Sequence, residues 1–352
     1  MASTSDHVKG PKEMATETRR VGFIGLGVMG EPMCRNLAVK TKLDVVALDL
    51  DPRPLERLAA QGVRNGGSVR GVVEGADVVF LSLPSGEAVN ELAHAADGLL
   101  AAIGAGQIVV DLSTSPVHTT RRLAQEFAAQ GASFIDAPVA RTRAAAEAGT
   151  LAVMVGAEPE VFQKVKPLIA AFATEIALCG PVGCGQVLKI LNNMLLFQNV
   201  VALCEAKAIG ERMGVNAKVL FDALANGSAD SFALRNHGMK AVLPDDYPLK
   251  AFSVRYARKD QRYALLLGEE AGIELDGAKR VEQLFDAAIE AGFGEHYWPV
   301  VSRLIERRRD RALPENRDPS RIAAPGEASL SSPQGASPLA PIHVRGEEEG
   351  AR

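Results

Sequence analysis

Three polar side chains inside an otherwise apolar helical run are the first place where this sequence could do chemistry. The run is Gly183 to Glu205, GCGQVLKILNNMLLFQNVVALCE, free of proline and apolar almost all the way round a helical wheel. That pattern predicts a helix buried on every side. Lys189, Asn192 and Asn193 stand at i, i+3 and i+4, which places them on one face. An ammonium in a low-dielectric interior is paired or has its pKa moved. Lys189 is therefore a candidate general acid/base, with an amide pair to hold a substrate oxygen beside it. The competing reading is structural: Lys189 snorkels to solvent near the helix start while the amides bond neighbouring loops.

What decides between the two readings is the rest of the chain. Val21 onwards reads VGFIGLGVMGEPM, an apolar strand, then Gly25, Gly27 and Gly30, then a helix from about Glu31. In that context G-x-G-x-x-G is a dinucleotide loop: one glycine for the tight turn, one for close approach of a pyrophosphate, one for helix packing. A second strand, Asp44 to Leu48, delivers Asp49 about 20 residues past the glycines, where a carboxylate accepts from ribose hydroxyls and repels a 2′-phosphate. This favours NAD over NADP. Asp51 is the competing carboxylate, and a turn role before Asp51-Pro52 is the structural alternative for Asp49.

The α/β alternation continues. Pro54 to Gln61 predicts a helix, Ala76 to Leu83 a buried strand closed by Pro84, Glu87 to Leu100 a helix, and Gln107 to Leu112 a strand. Val117 to Gln130 predicts a helix and Ser133 to Asp136 a strand. Alternating elements imply a parallel sheet whose ligands sit at the carboxyl ends of the strands, where Ser113, Thr114 and Arg141 fall. After the long helix only helices are expected: 216–224, 231–239, 253–271 (with Lys259 and Asp260), 277–291 and 299–309. The expected organisation is a tail over 1–20, an NAD-binding α/β Rossmann domain over 21–181, an all-α domain over 182–310 joined by the long interdomain helix, and a Pro/Ser/Gly-rich tail over 311–352. The basic run Arg307 to Arg309 suits a solvated helix end.

Composition narrows the classes further. The chain has 352 residues, is 47% hydrophobic and carries a net charge of -4, enough for two cores and giving no reason to expect nucleic acid. No apolar run of about 18 residues lacks polar breaks, so no membrane span is expected, and the polar N-terminus has no signal-peptide core. Cys34, Cys179, Cys184 and Cys204 show neither a disulfide frame nor zinc-ligand spacing, which predicts no metal and fits a reduced, cytoplasmic setting.

GFIGLGVMGEPM, DLSTSP, DAPV…AGTLAVMVGA, GCGQVLKILNNM and the Lys259-Asp260 pair occur in the order and spacing of the β-hydroxyacid dehydrogenases, the 3-hydroxyisobutyrate dehydrogenase group. The chain resembles that family over about Val21 to Arg309. The resemblance implies reversible hydride transfer between NAD(P) and a short anionic hydroxyacid or its semialdehyde. It implies Lys189 as the catalytic lysine, with Asn192, Asn193 and Ser113 near the substrate. It also implies a cofactor surface of Gly25, Leu26, Gly27, Val28, Met29, Gly30, Asp49, Leu83, Pro84, Thr114 and Lys259. A homodimer or homotetramer is expected from the apolar helix and from the family.

One departure stands out. Where the family pattern has Ser-Gly-Gly after DAPV, this chain has Ala140-Arg141-Thr142. A guanidinium offers five fixed donors to an oxyanion, and the segment resembles the substrate loop of sulfolactaldehyde reductases, a likeness that Trp298 also fits. This makes Arg141 and Thr142 candidate sulfonate contacts, with Arg143 as a rival and a surface pair of Arg141 with Glu147 or Asp136 as the structural alternative. Tyr297 stands where an acidic residue is common. Carboxylate substrates such as 3-hydroxyisobutyrate, tartronate semialdehyde or succinic semialdehyde remain the alternative. A cofactor-sensing protein without catalysis is the alternative of another class.

Overall fold

The structure is a computed structural model that describes residues 18–249 and 251–307. The expectations for the two tails, and for the basic run beyond Arg307, fall outside those residues, apart from Thr18 to Arg20, where Arg19 N donates to Asp77 Oδ2 and Arg20 opens the first strand.

Nine strands form one sheet: β1 (Arg20–Ile24), β2 (Asp44–Leu48), β3 (Arg64–Asn65), β4 (Val78–Leu81), β5 (Ile108–Asp111), β6 (Ser133–Asp136), β7 (Val139–Ala140), β8 (Leu151–Gly156) and β9 (Ala173–Gly180). The order is β3-β2-β1-β4-β5-β6-β8-β7, with β9 also on β8. From β3 to β6 every pairing is parallel. The central strands read as unbroken apolar runs because each residue in turn enters the core on one face or the other. Val78 and Phe80 join Phe23 and Val110 on one side, while Val79 and Leu81 join Ile24 and Val109 on the other. Helices α1 (Gly30–Thr41), α2 (Pro52–Ala59), α3 (Val69–Val73), α4 (Gly86–His94), α5 (Leu99–Ala102), α6 (Val117–Ala128), α7 (Arg143–Ala148) and α8 (Pro159–Ile169) cover those faces.

Two expectations need correction here. The single helix over 87–100 is two, α4 and α5, separated at Gly98, where a Cβ would run into the Leu92 carbonyl. The sheet is not wholly parallel, since β8 runs antiparallel to β6 and β7. A parallel return needs a crossover helix packed on the sheet. The helix available, α7, packs on α1 instead, with Asn36 Nδ2 donating to Ala146 O at 2.9 Å.

Beyond the sheet come α9 (Cys184–Arg212, 29 residues), α10 (Ala217–Ala225), a π-helical turn Leu234–Val242, α11 (Val254–Ala271), α12 (Asp276–Glu290), a short 3-10 turn Trp298–Val300 and α13 (Val301–Arg307). The helix expected over 231–239 is thus shifted and widened. At Gly238 a Cβ would lie 3.4 Å from Leu203 Cδ1, so the wide turn lays its backbone on α9. The helical core forms around Phe197, whose ring centroid lies 4.9 Å from Trp298 and 5.3 Å from Phe285. By length and hydropathy α9 could cross a bilayer. Its buried side carries Lys207, ion-paired to Glu306 at 2.7 Å, and Gln186, bonded to the β5 loop, as in a core helix.

The expectation that α9 is buried on every side does not hold within one chain. Leu188, Leu191, Leu195 and Ile209 lie on a side that the chain's other elements leave open, with Leu195 55% and Ile209 64% exposed.

Candidate active site

The glycine loop has the shape its sequence implies. Gly25 takes φ 94°, and a Cβ there would run into the Ser82 carbonyl. A Cβ at Gly30 would strike the Gly25 carbonyl, whereas one at Gly27 would meet nothing within 4 Å. Gly27 thus presents bare backbone to open space beside the start of α1, a cradle suited to a pyrophosphate. A cleft of about 620 Å³ opens there, lined by Gly27, Val28, Glu31, Arg53 and Arg57 among others. Asp49 accepts hydrogen bonds from Leu26 N and from Asp51 N, so its carboxylate is tied to the loop. Asp51 instead caps α2 and pairs with Arg53 at 2.6 Å, a contact that brings its pKa down to about 2.

A buried polar junction connects the sheet to α9. The Ser113 hydroxyl accepts from Leu83 N at 2.9 Å, and Asp111 accepts from Ser113 N at 2.9 Å and the Ser115 hydroxyl at 2.8 Å. Gln186, fully buried, donates to Ser113 O at 2.9 Å and accepts from Ser115 N at 3.1 Å. Asp136 accepts from Gly183 N at 2.6 Å and Gln186 N at 2.8 Å, holding the first turn of α9 where a carboxylate suits the helix dipole. Burial pushes the pKa of Asp111 and of Asp136 up to about 6, against the pull of these hydrogen bonds. Thr114, half-buried, makes no side-chain hydrogen bond with the described residues, which leaves its hydroxyl available.

Lys189 lies in the second turn of α9, partly accessible yet within protein dense enough that desolvation lowers its pKa. The charge of Asp260 works against that shift and the charge of Lys259 adds to it. Asn193, also buried, donates to Asp260 Oδ2 at 2.7 Å, and Asn192 donates to Asn193 Oδ1 at 3.1 Å from a more exposed position. Lys259 Nζ stands 3.0 Å from Asp260 Oδ1, off the hydrogen-bonding direction, and donates to Pro84 O at 3.0 Å. That last bond brings α11 to the carboxyl end of β4. Among the described residues Lys189 has no hydrogen-bond or ion-pair partner; the charges of Asp260 and Lys259 act on it, and the Asn193 amide bonds to Asp260.

Arg141 and Thr142 are not part of this group. Arg141 adopts φ 86°, its side chain is exposed, and its Nη1 donates to Thr150 O at 2.5 Å and Thr174 Oγ1 at 3.1 Å. Neither Glu147 nor Asp136 is its partner; Glu147 pairs with Arg143 at 2.8 Å. Thr142 caps α7 through Ala145 N. Trp298 lies in the helical core.

Sequence reading passed over Asp260, Gln186, Asp111 and Asp136 as site residues. Asp260 is adjacent to the Lys259 already singled out, and Gln186 is three residues before Lys189, so helical spacing was the available signal.

Comparison with known proteins decides the family. Residues 20–180 match the model described as the NAD binding domain of 6-phosphogluconate dehydrogenase, and residues 183–297 the one described as the NAD-binding part of NADP-dependent 3-hydroxyisobutyrate dehydrogenase. The chain is 32% identical to 2-(hydroxymethyl)glutarate dehydrogenase of Eubacterium barkeri, across 82% of this chain and 95% of that one. It belongs to the β-hydroxyacid dehydrogenase family. A 3-hydroxyisobutyrate dehydrogenase of Pseudomonas aeruginosa is 35% identical over 74% of this chain and 86% of its own length. The solved Mycobacterium tuberculosis 3-hydroxyisobutyrate dehydrogenase with L-serine superposes with a TM-score of 0.75 at 28% identity, covering 82% of this chain and 99% of that one. This β-hydroxyacid dehydrogenase is accordingly an NAD(P)-dependent oxidoreductase acting on the hydroxyl group of a small hydroxyacid.

Proposed function

We propose that this enzyme interconverts a short anionic hydroxyacid and its semialdehyde, with Lys189 as the proton donor and acceptor and NAD preferred to NADP. The reading is supported by the Asn193 to Asp260 bond one helical turn from Lys189, and by the Lys259 to Pro84 bond that links Asp260's neighbour to the β4 end. A nicotinamide cofactor bound along the glycine loop supplies or accepts the hydride. The work of the chain is to manage the proton. In reduction the Lys189 ammonium gives a proton to the substrate oxygen as negative charge grows there; in oxidation the neutral amine takes it back. Asp260 moderates the pKa of Lys189 and fixes Asn193, which orients the same oxygen. Thr114 and Lys259 bind the cofactor, and Asp49 on the loop supports NAD by excluding a 2′-phosphate. A division into 21–181 and 182–310 is part of this proposal and is supported by the two matched segments, 20–180 and 183–297, and four unpaired thiols suit a cytoplasmic setting.

A second reading names a sulfonate, as in sulfolactaldehyde reduction to 2,3-dihydroxypropane-1-sulfonate. It is favoured by Arg141, a side chain kept in left-handed backbone that costs a non-glycine residue roughly 1–2 kcal/mol. Backbone strain of this kind collects at functional sites. In this reading the guanidinium turns from Thr150 and Thr174 to the anion, with Ser113 and Thr142 nearby. The test is a substrate panel of sulfolactaldehyde, tartronate semialdehyde and succinic semialdehyde on native and Arg141→Gly enzyme. The expected result is a loss of roughly tenfold or more in kcat/KM for the sulfonate alone, without loss of thermal stability. A carboxylate preferred by a wide margin by the native enzyme ends the sulfonate reading.

We also propose a homodimer or homotetramer in which the open side of α9 is covered by a second copy. Leu195→Glu is expected to shift the molar mass in light scattering to that of one chain; an unchanged mass places the contact elsewhere.

A further inference from the structure

The segment Ser82 to Glu87 lies between the glycine loop and α11. On the loop side, the Ser82 carbonyl fills the place of a Cβ at Gly25, and Leu83 Cδ2 is 3.0 Å from the same point. On the other side α11 grips the segment at three polar points. Lys259 Nζ donates to Pro84 O at 3.0 Å, Gly86 N donates to the Tyr263 hydroxyl at 3.2 Å, and that hydroxyl donates to Glu87 Oε2 at 2.8 Å. The Tyr263 ring is buried with Val117 and Ile190, and Lys259 Nζ stands 5.2 Å from its centroid.

We propose that Tyr263 and Glu87 are positioning residues that clasp α11 onto this segment and set how fast the nicotinamide cofactor leaves. The proposal rests on the reading that the cofactor lies along the glycine loop and the β4 end. A hydroxyl that accepts from one neighbour and donates to another has its proton committed, so Tyr263 acts by position and not by proton transfer. While the clasp is closed, the Pro84 carbonyl stays on Lys259, and Lys259 stays beside Asp260. When it opens, the covering segment and the Lys189 group come apart together, which couples exchange of cofactor to disassembly of the proton-transfer site. Glu87 is on the surface and contributes little to the core, so its contact with Tyr263 can be removed without unpacking the fold.

The experiment is stopped-flow displacement of bound NADH and of NADPH, followed by nicotinamide fluorescence, in the full chain and its Tyr263→Phe, Glu87→Ala and doubly substituted variants. Each single variant is expected to release cofactor roughly two- to tenfold faster, the range one hydrogen bond supplies. The double variant is expected to be no faster than the faster single one, because the two groups share one contact. The melting temperature of Glu87→Ala stays within about 2 °C of the native chain, because Glu87 is exposed, which a general loosening of the fold would not allow. Unchanged release in both single variants, or effects that multiply in the double one, overturns the clasp and leaves the cofactor site standing. A native chain that binds neither dinucleotide overturns the cofactor site itself, and the clasp with it.

Discussion

Lys189→Ala is expected to lower kcat by about 10²- to 10⁴-fold, the contribution of a placed general acid, while the dissociation constant for cofactor stays within about threefold of native. The argument is local. Lys189 makes no hydrogen bond or ion pair with the described residues, so its removal leaves no broken partner, while Lys259 still bonds Pro84. The pH profile carries a second check. Burial lowers the Lys189 pKa from the ordinary 10.5, so its titration falls below that value. Reduction needs the ammonium, and its rate declines as pH rises through the lowered pKa; oxidation needs the free amine and rises through the same point. Asp260→Asn removes the charge that holds the pKa up, and both limbs move to lower pH. Steady-state rates in both directions across pH, with cofactor titrations, settle the matter. Near-native turnover in Lys189→Ala assigns the proton to another group.

Gly185→Ala is the substitution with the largest expected effect on stability. A Cβ at this position would run into the Met154 carbonyl and lie 2.8 Å from Asp136 Oδ2 and 3.1 Å from Gly156 N. Backbone atoms of β8 cannot give way cheaply, and overpacking of this kind costs roughly 1–3 kcal/mol. Asp136 would also lose its grip on Gly183 N and Gln186 N. The expected result is a melting temperature lower by several degrees, with turnover falling out of proportion because α9 starts from a displaced point. Calorimetry beside kinetics at a temperature where the variant remains folded tests both parts. An unchanged melting temperature shows that β8 and α9 can part there without cost.

Much of the fold was readable because its signals are local. Phe23, Val79 and Val110 belong to unbroken apolar runs that a strand covered on both faces explains, and Gly25 and Gly30 mark a loop where a Cβ would strike backbone. Residues 139–182 gave less. The β8 strand is a short run whose antiparallel direction depends on where α7 packs, a long-range matter that periodicity does not record. The apolar circumference of α9 misled for a related reason. Hydrophobicity reports that a surface wants covering, and it is silent on whether the cover comes from the same chain. In the candidate site, the shared face of Lys189 and Asn193 was legible from helical spacing, whereas Asp260 reaches Asn193 from 67 residues away in sequence. Arg141 shows the opposite limit: its chemistry was plain from the residue type, but its present partners, Thr150 and Thr174, follow from a backbone angle that sequence does not print.

The anchorage of α9 at Asp136 makes the helix a lever with its fulcrum at one end. With 29 residues rising about 1.5 Å each, the arm is ~43 Å long, while Lys189 rides only ~8 Å from the pivot. A swing of about 5° would carry the tip through ~4 Å and the lysine backbone through less than ~1 Å. The backbone of Lys189 is thus tied closely to the sheet through Asp136, while the far end of the helix takes its place from the helical core.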